Sequence, residues 1–300
     1  MTTLNDQDIA DRPVGVIGTG TLGRRIALMF LTRGREVRIQ DTQEAALTDA
    51  EKFIHSELPG WLQTRKDHDA DATEGTLTTP TDLEEAVAGA WLVVEAAPEN
   101  PNLKRDIFGQ LDNAAPADAI LATNSSSYRS DLLVDQVDHR ERVMNMHFQM
   151  PPDQLSVELM TDGETDEDLL KFAAEQLESY GLAPHIAWKP STGLIFNRVW
   201  AAIKRECIAV VADGVSSPED VDELFKATFH TETAPFRMMD NAGLDVVLDI
   251  ENNYASEREG LPENVRELLQ KKVDAGELGV KTGKGWYDYS DDATADTEDD

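Results

Sequence analysis

The pattern that most limits the fold stands near the start of the chain. Val14 to Ile17 is a short buried-strand pattern, and it runs straight into Gly18-Thr19-Gly20-Thr21-Leu22-Gly23. Helical periodicity follows through Ile26, Phe30 and Leu31, with Gly34 as its stop. In a strand–turn–helix context the first glycine permits the tight turn and the second lets a pyrophosphate approach the backbone. The third allows the helix to pack on the strand, and the helix N-terminus offers N–H donors and a positive dipole end. A second strand pattern, Val37 to Gln40, ends at Asp41. A carboxylate there accepts hydrogen bonds from a ribose and repels a 2′-phosphate, which favours NAD over NADP. Arg24, Arg25 and Arg38 are the cations that would soften that preference. Gly18, Gly20, Thr21, Leu22, Gly23 and Asp41 are therefore the expected cofactor contacts.

Further strand patterns lie at 91–95, 120–123, 143–147, 156–160 and 185–188, with helical stretches near 103–111 and 166–180. The stretch from 42 to 79 is polar and loosely helical, with an Asp-rich loop around Asp67 to Asp71. Strands alternating with helices predict an α/β fold, an N-terminal Rossmann-type doubly wound and mostly parallel sheet over 1–189. From Thr192 onward only helical periodicity remains, at 194–212, 218–227 and 235–254, so 190–289 is expected to be a second, all-helical domain. Pro218 and Pro235 open two of those helices, as suits a first turn. The stretch 290–300 is expected to be a disordered acidic tail.

Composition narrows the function classes. A formal net charge of −31 would repel nucleic acid and anionic membranes. It also fits a halophilic protein, whose surface carboxylates stay hydrated while salt screens their repulsion. No apolar run is long enough to cross a bilayer and the first residues are polar, so neither a membrane span nor a signal peptide is expected. Cys207 is the sole cysteine, placed in an apolar helical pattern; this suits core packing and a reducing, cytoplasmic setting. No His, Cys or carboxylate spacing matches a metal site, so no metal is expected.

Chemistry gathers downstream. Glu95-Ala96-Ala97-Pro98-Glu99-Asn100 followed by Lys104 stands at the C-terminal end of the 91–95 strand, the edge at which open α/β sheets bind ligands. Ala97, Glu99 and Lys104 are candidate cofactor contacts there; the plainer reading of Glu99 is an acid complementing the next helix. Asn124-Ser125-Ser126-Ser127, then Met146-His147-Phe148, then Val157-Glu158 supply a hydroxyl cluster, an imidazole and a carboxylate. Removing the proton of a secondary alcohol while hydride leaves calls for a base that titrates near neutrality, which imidazole supplies. A carboxylate on its other nitrogen fixes the tautomer and stabilises the imidazolium. A lone histidine is more often a packing residue; the ordered set is what gives this one a chemical reading.

Taken with Thr192-Gly-Leu-Ile-Phe-Asn197-Arg198 and Lys281-Thr-Gly-Lys-Gly-Trp-Tyr287, these motifs resemble, in order, the L-3-hydroxyacyl-CoA dehydrogenase family. The resemblance runs from about Val14 to Tyr289 and implies an NAD-dependent enzyme of fatty acid metabolism, with a helical domain that supplies homodimer contacts. It implies His147 as general base, Glu158 as its orienting carboxylate, Ser126 and Asn197 as polar contacts to the reacting group, and Asn124 beside the cofactor. Four departures bear on the substrate, the first being an interval from His147 to Glu158 that looks one residue shorter than the family's. Gln149-Met150-Pro151 replaces the family's common Phe-Asn-Pro after His-Phe, and the lysine-rich helical hairpin that receives CoA looks abbreviated between about 50 and 79. Pro98-Glu99-Asn100 with Leu103-Lys104-Arg105 also resembles the gulonate and carnitine dehydrogenase branch, which implies free 3-hydroxy acids as the alternative substrates. An NAD-binding protein without catalysis is the alternative outside enzymes.

Overall fold

The computed structural model describes residues 4–232 and 234–290, so the expected tail lies outside the described residues from Asp291 onward. The chain forms two compact units that divide between Ile195 and Phe196.

In the first unit a short helix α1 (Asp6–Ile9) precedes β1 (Val14–Ile17), α2 (Thr21–Phe30), β2 (Glu36–Gln40), α3 (Glu44–Lys66) and β3 (Thr76–Thr78). There follow α4 (Leu83–Val87), β4 (Leu92–Glu95), α5 (Pro101–Ala114), β5 (Ile120–Thr123), β6 (Val143–Met150), β7 (Gln154–Thr161), α6 (Glu167–Ser179) and β8 (Ala183–Ala187). The strands form one eight-stranded sheet in the order β3-β2-β1-β4-β5-β6-β7-β8. Every neighbouring pair is parallel except β6 and β7. The order reverses around β1, which pairs with both β2 and β4, and this creates the crevice where such sheets bind ligands. β1, β4 and β5 are buried along their whole length, which is why they read as unbroken apolar runs.

The single antiparallel pair positions the chemistry. Met144, Met146 and Phe148 of β6 share one core cluster with Val157 and Leu159 of β7. Strand alternation then sends Asn145, His147 and Glu158 to the opposite face. The register sets Met146 against Leu159, His147 against Glu158 and Phe148 against Val157. A slip of one residue would put the histidine and the carboxylate into that core, so the apolar positions enforce their pairing.

The region expected to be loosely helical is one 23-residue helix, α3. Its buried stripe of Leu47, Ala50, Ile54, Leu58 and Leu62 is narrow, and Pro59 lies on the exposed side, where water can satisfy the carbonyl it leaves unpaired. The second unit comprises α7 (Phe196–Ala212), α8 (Pro218–Phe229), α9 (Pro235–Ala242), α10 (Leu244–Glu257) and α11 (Glu263–Asp274). The helix expected over 235–254 is therefore two: Gly243, at φ 98°, breaks it, and a Cβ there would crowd Asp245 and Lys281. Cys207 is half-buried in α7, and burial, aided by Asp222 and Glu206, pushes its thiol up to about 11, as befits a packing residue.

Candidate active site

The glycine loop has the shape a dinucleotide requires. Gly18 takes φ 95°, and a Cβ there would sit 2.7 Å from the Ala96 carbonyl at the end of β4. A Cβ on Gly23 would strike the Gly18 carbonyl oxygen, whereas one on Gly20 would meet nothing within 4 Å. Two glycines are thus demanded by packing, and the middle one faces open space. α2 starts at Gly20 with no capping side chain and no acid in its first turn, leaving its positive end available to an anion. Asp41 accepts hydrogen bonds from the Thr19 N–H (2.9 Å), the Thr19 hydroxyl (3.1 Å) and the Gln43 N–H (3.0 Å). These bonds fix the carboxylate just after β2, beside the loop. Arg38 donates instead to Glu36 and to the Glu85 and Ala88 carbonyls, and Arg25 to the Pro151 carbonyl, so both guanidinium groups are engaged elsewhere.

A cavity of about 270 Å³ opens at the C-terminal ends of the central strands. Its walls include Leu22 of α2, Ala97, Glu99 and Lys104 after β4, Asn124 and Ser126 after β5, and His147 of β6. The cavity thus brings together seven of the fourteen residues singled out from the sequence. Asn197 belongs to the second unit, in the first turn of α7.

The loop after β5 is held from both sides. Asn124 accepts the Phe148 N–H at 2.9 Å, and its own N–H donates to the Glu95 carbonyl at 2.8 Å. Ser125 donates to Glu99 at 2.6 Å and accepts the Tyr128 N–H at 2.9 Å. Asn145, two residues before His147 and on the same face, accepts the Ser130 N–H at 2.7 Å and donates to the Tyr128 carbonyl at 2.9 Å. Asn145 escaped the sequence reading; its signal is a polar residue inside an otherwise apolar strand.

Two buried carboxylates anchor the site. Glu95 receives Lys104 Nζ at 2.8 Å, the Thr123 hydroxyl at 2.6 Å and the Ala97 N–H at 2.7 Å. Lys104 also approaches Glu99 Oε2 at 3.1 Å. Burial alone would push the Glu99 carboxyl up, but the Ser125 hydroxyl, Lys104 and the Ser127 N–H outweigh it and hold it below the usual range. The other is Glu158, whose Oε2 lies 3.2 Å from His147 Nδ1 and 3.4 Å from Gln149 Nε2. Its Oε1 accepts the Ile195 N–H at 2.8 Å. That N–H is presented by two successive left-handed residues, Gly193 (φ 76°) and Leu194 (φ 49°). Leu194 is buried, and a bulky residue at positive φ is costly unless its surroundings impose it. Neither the backbone donor nor the Glu95–Lys104 pair was foreseen as part of the site. With Nδ1 facing the carboxylate, Nε2 is the ring nitrogen left for the cavity.

Among the described residues, no group of three His, Cys, Asp or Glu side chains is placed to hold a metal, and no helix is long and apolar enough to cross a membrane.

Comparison with known proteins gives this site a family. Residues 13–187 match the family model described as the NAD binding domain of 3-hydroxyacyl-CoA dehydrogenase, and residues 193–289 match that of its C-terminal domain. The chain is 30% identical over 280 residues to 3-hydroxybutyryl-CoA dehydrogenase of Clostridioides difficile, covering 92% of this chain and 99% of that one. It is 28% identical to 5-formyl-3-hydroxy-2-methylpyridine 4-carboxylate 5-dehydrogenase of Mesorhizobium japonicum, covering 94% and 92%. The solved structure of (S)-3-hydroxybutyryl-CoA dehydrogenase PaaH1 from Ralstonia eutropha matches with a TM-score of 0.80 at 29% identity, covering 93% and 99%. With both family models matched and the glycine loop built for a dinucleotide, the chain belongs to the 3-hydroxyacyl-CoA dehydrogenase family of NAD-binding oxidoreductases acting on CH–OH groups.

Proposed function

We propose that the protein interconverts a 3-hydroxyacyl-CoA and its 3-oxoacyl-CoA, with His147 and Glu158 as the acid–base pair. The observation that carries this reading is the buried contact between His147 Nδ1 and Glu158 Oε2 beside a cavity that Ser126 also lines. Gly18, Gly20, Thr21, Leu22, Gly23 and Asp41 would hold the adenosine and pyrophosphate end of NAD, and Ala97, Glu99, Lys104 and Asn124 the nicotinamide end. Bound NAD supplies the hydride acceptor. His147 Nε2 takes the hydroxyl proton as the carbinol carbon becomes a carbonyl, and Glu158 stabilises the imidazolium that results. Ser126 hydrogen-bonds the oxygen that alternates between alcohol and ketone, and Asn197 keeps the role of polar contact that the family resemblance implies. In the reverse direction the same imidazolium returns the proton.

A second reading keeps the chemistry and replaces the thioester with a free 3-hydroxy acid. It is favoured by α3, a single helix whose few cations are Lys52, Arg65 and Lys66, with Arg65 committed to Asp69. The Mesorhizobium relative is likewise named for a carboxylate substrate.

The helical unit is read as substrate and dimer domain. Val215, Leu224 and Phe229 are between 65% and 75% exposed, more apolar surface than a lone unit of this size needs to show, and we read it as the homodimer face. The charge of −31 supports salt adaptation in a cytoplasm rich in counterions. Dilution from concentrated potassium chloride, followed by sedimentation and activity, reads both; a monomer throughout, or full stability in dilute buffer, counts against them.

The decisive assay is NAD reduction in concentrated potassium chloride with 3-hydroxybutyryl-CoA, free 3-hydroxybutyrate, carnitine and gulonate. His147→Gln should lower turnover by about 10²–10⁴-fold while NADH still binds. Near-normal turnover in that variant would overturn the assignment, and activity confined to free acids would remove the thioester.

A further inference from the structure

The reading above leaves the arginine pair after the glycine loop without a task, and the following inference rests on that reading. Arg24 and Arg25 are consecutive in α2, and Phe53 faces them from α3, with guanidinium carbons 4.4 and 5.3 Å from the ring centroid. The Nε atoms of both are buried and unpartnered. Arg25 donates to the Pro151 carbonyl at 2.8 Å and touches Asp153 only at 3.4 Å, where the carboxylate is largely exposed and weakly held. Arg24 has no ion pair among the described residues, whereas Arg12, Arg33, Arg38, Arg140 and Arg142 each reach a carboxylate within 3.0 Å. In a chain with 58 acids against 27 lysines and arginines, leaving a stacked guanidinium unpaired is not the default.

Position connects Arg25 to the chemistry, and Phe53 holds Arg24 beside it. Leu22 forms part of the His147 cavity wall, and Arg25 follows it by one turn on the same side of α2. The hydrogen bond of Arg25 ends on Pro151, in the turn four residues beyond His147. We propose that Arg24, with Arg25 beside it, clamps an anionic group, a carboxylate or a phosphate, that the substrate carries away from its reacting carbon. Stacking on Phe53 fixes the guanidinium plane beforehand and leaves its N–H edge to fork the anion. Two adjacent cations also repel one another until an anion arrives, which adds to its attraction. The planar fork matches both oxyanions, and a single clamp therefore serves a free acid or a CoA phosphate.

The test compares wild type, Arg24→Ala and Arg24→Lys with three 3-hydroxybutyryl substrates at saturating NAD. These are the CoA thioester, the free acid and the uncharged N-acetylcysteamine thioester. KM for an anionic substrate should rise about tenfold to a hundredfold in Arg24→Ala, with partial recovery in Arg24→Lys and a far smaller change for the neutral thioester. A loss confined to the CoA thioester identifies a phosphate, and one confined to the free acid a carboxylate. Equal losses on all three substrates, no loss on either anionic one, or a matching loss of NADH affinity would overturn the clamp. Calorimetric titration of acetoacetyl-CoA and acetoacetate into the same proteins reads the clamp without turnover. An inactive wild type would then count against the His147 reading alone, and equal binding by wild type and Arg24→Ala against the clamp.

Discussion

Two carboxylates stand on the ligand-binding edge of one sheet, both buried, and they are used in opposite ways. Glu95, at the end of β4, is matched by a permanent cation, with Lys104 at 2.8 Å, and further held by the Thr123 hydroxyl and the Ala97 N–H. Glu158, in β7, faces the His147 imidazole at 3.2 Å. The first arrangement holds a loop in one shape, because the ammonium ties Glu95 of the strand end to the helix that follows it. The second sets a carboxylate against an imidazole, the side chain that can take up and return a proton in an acid–base step. Burial and hydrogen bonding are alike in the two places; the partner's chemistry separates scaffold from reaction.

The sharpest way to break this contrast is to remove the cation of the first pair. Lys104→Met should destabilise the protein by about 3–5 kcal/mol, because Glu95 is left buried without a counter-charge. Adding Glu95→Gln to that variant should recover much of the loss, as the remaining hydroxyl and N–H donors can serve a neutral amide. Urea unfolding of the two variants measures this. A Lys104→Met protein as stable as wild type would place Glu95 among the solvated carboxylates and dissolve the distinction.

The complementary change strikes the second pair. Glu158→Gln keeps the volume and the Ile195 N–H contact but cannot balance an imidazolium, so turnover should fall on the order of a hundredfold. Its stability loss should be much smaller than that of Lys104→Met. Steady-state rates and unfolding midpoints on the same preparation separate the two quantities. A stability collapse without a specific rate defect would mean that both carboxylates are scaffold.

How far this contrast is legible in the chain depends on the kind of signal. The glycine loop, Asp41 and the 120–123 strand are local patterns, each set by a few consecutive residues, and they stand where the sequence puts them. The pairing of the histidine with the carboxylate is implied by the family resemblance, but the antiparallel register that sets it has no signal in the residues themselves. The Glu95–Lys104 bond, the Asn145 braces and the Ile195 N–H are long-range or main-chain contacts with no sequence signature of their own. Short or weakly patterned elements escaped for a different reason. β3 spans only Thr76–Thr78 at the sheet edge, α4 five residues, and α11 carries a buried pair, Val265 and Leu269, among many charges. Tertiary packing rather than periodicity stabilises them.

Glu99 offers the finest probe, because it belongs to the scaffold network yet borders the cavity. Its carboxyl is held below the ordinary 4.5 of a glutamate: burial opposes this, and the Ser125 hydroxyl, Lys104 and the Ser127 N–H prevail. Above that value the group is ionised in both folded and unfolded chains, so its contribution to stability is fully present. As the pH falls below it, the unfolded chain takes up the proton first. The contribution therefore shrinks and is gone once the folded carboxyl is protonated too. Glu99→Gln should remove this part of the acid limb, so its urea midpoint should fall less steeply than that of wild type below about pH 4.5. The effect is small because the side chain is 38% exposed and solvent screens its partners. Identical acid limbs in the two proteins would show that the Ser125 and Lys104 contacts leave Glu99 energetically as it is in the unfolded chain, and only Glu95 would then remain as the anchored carboxylate of that strand end.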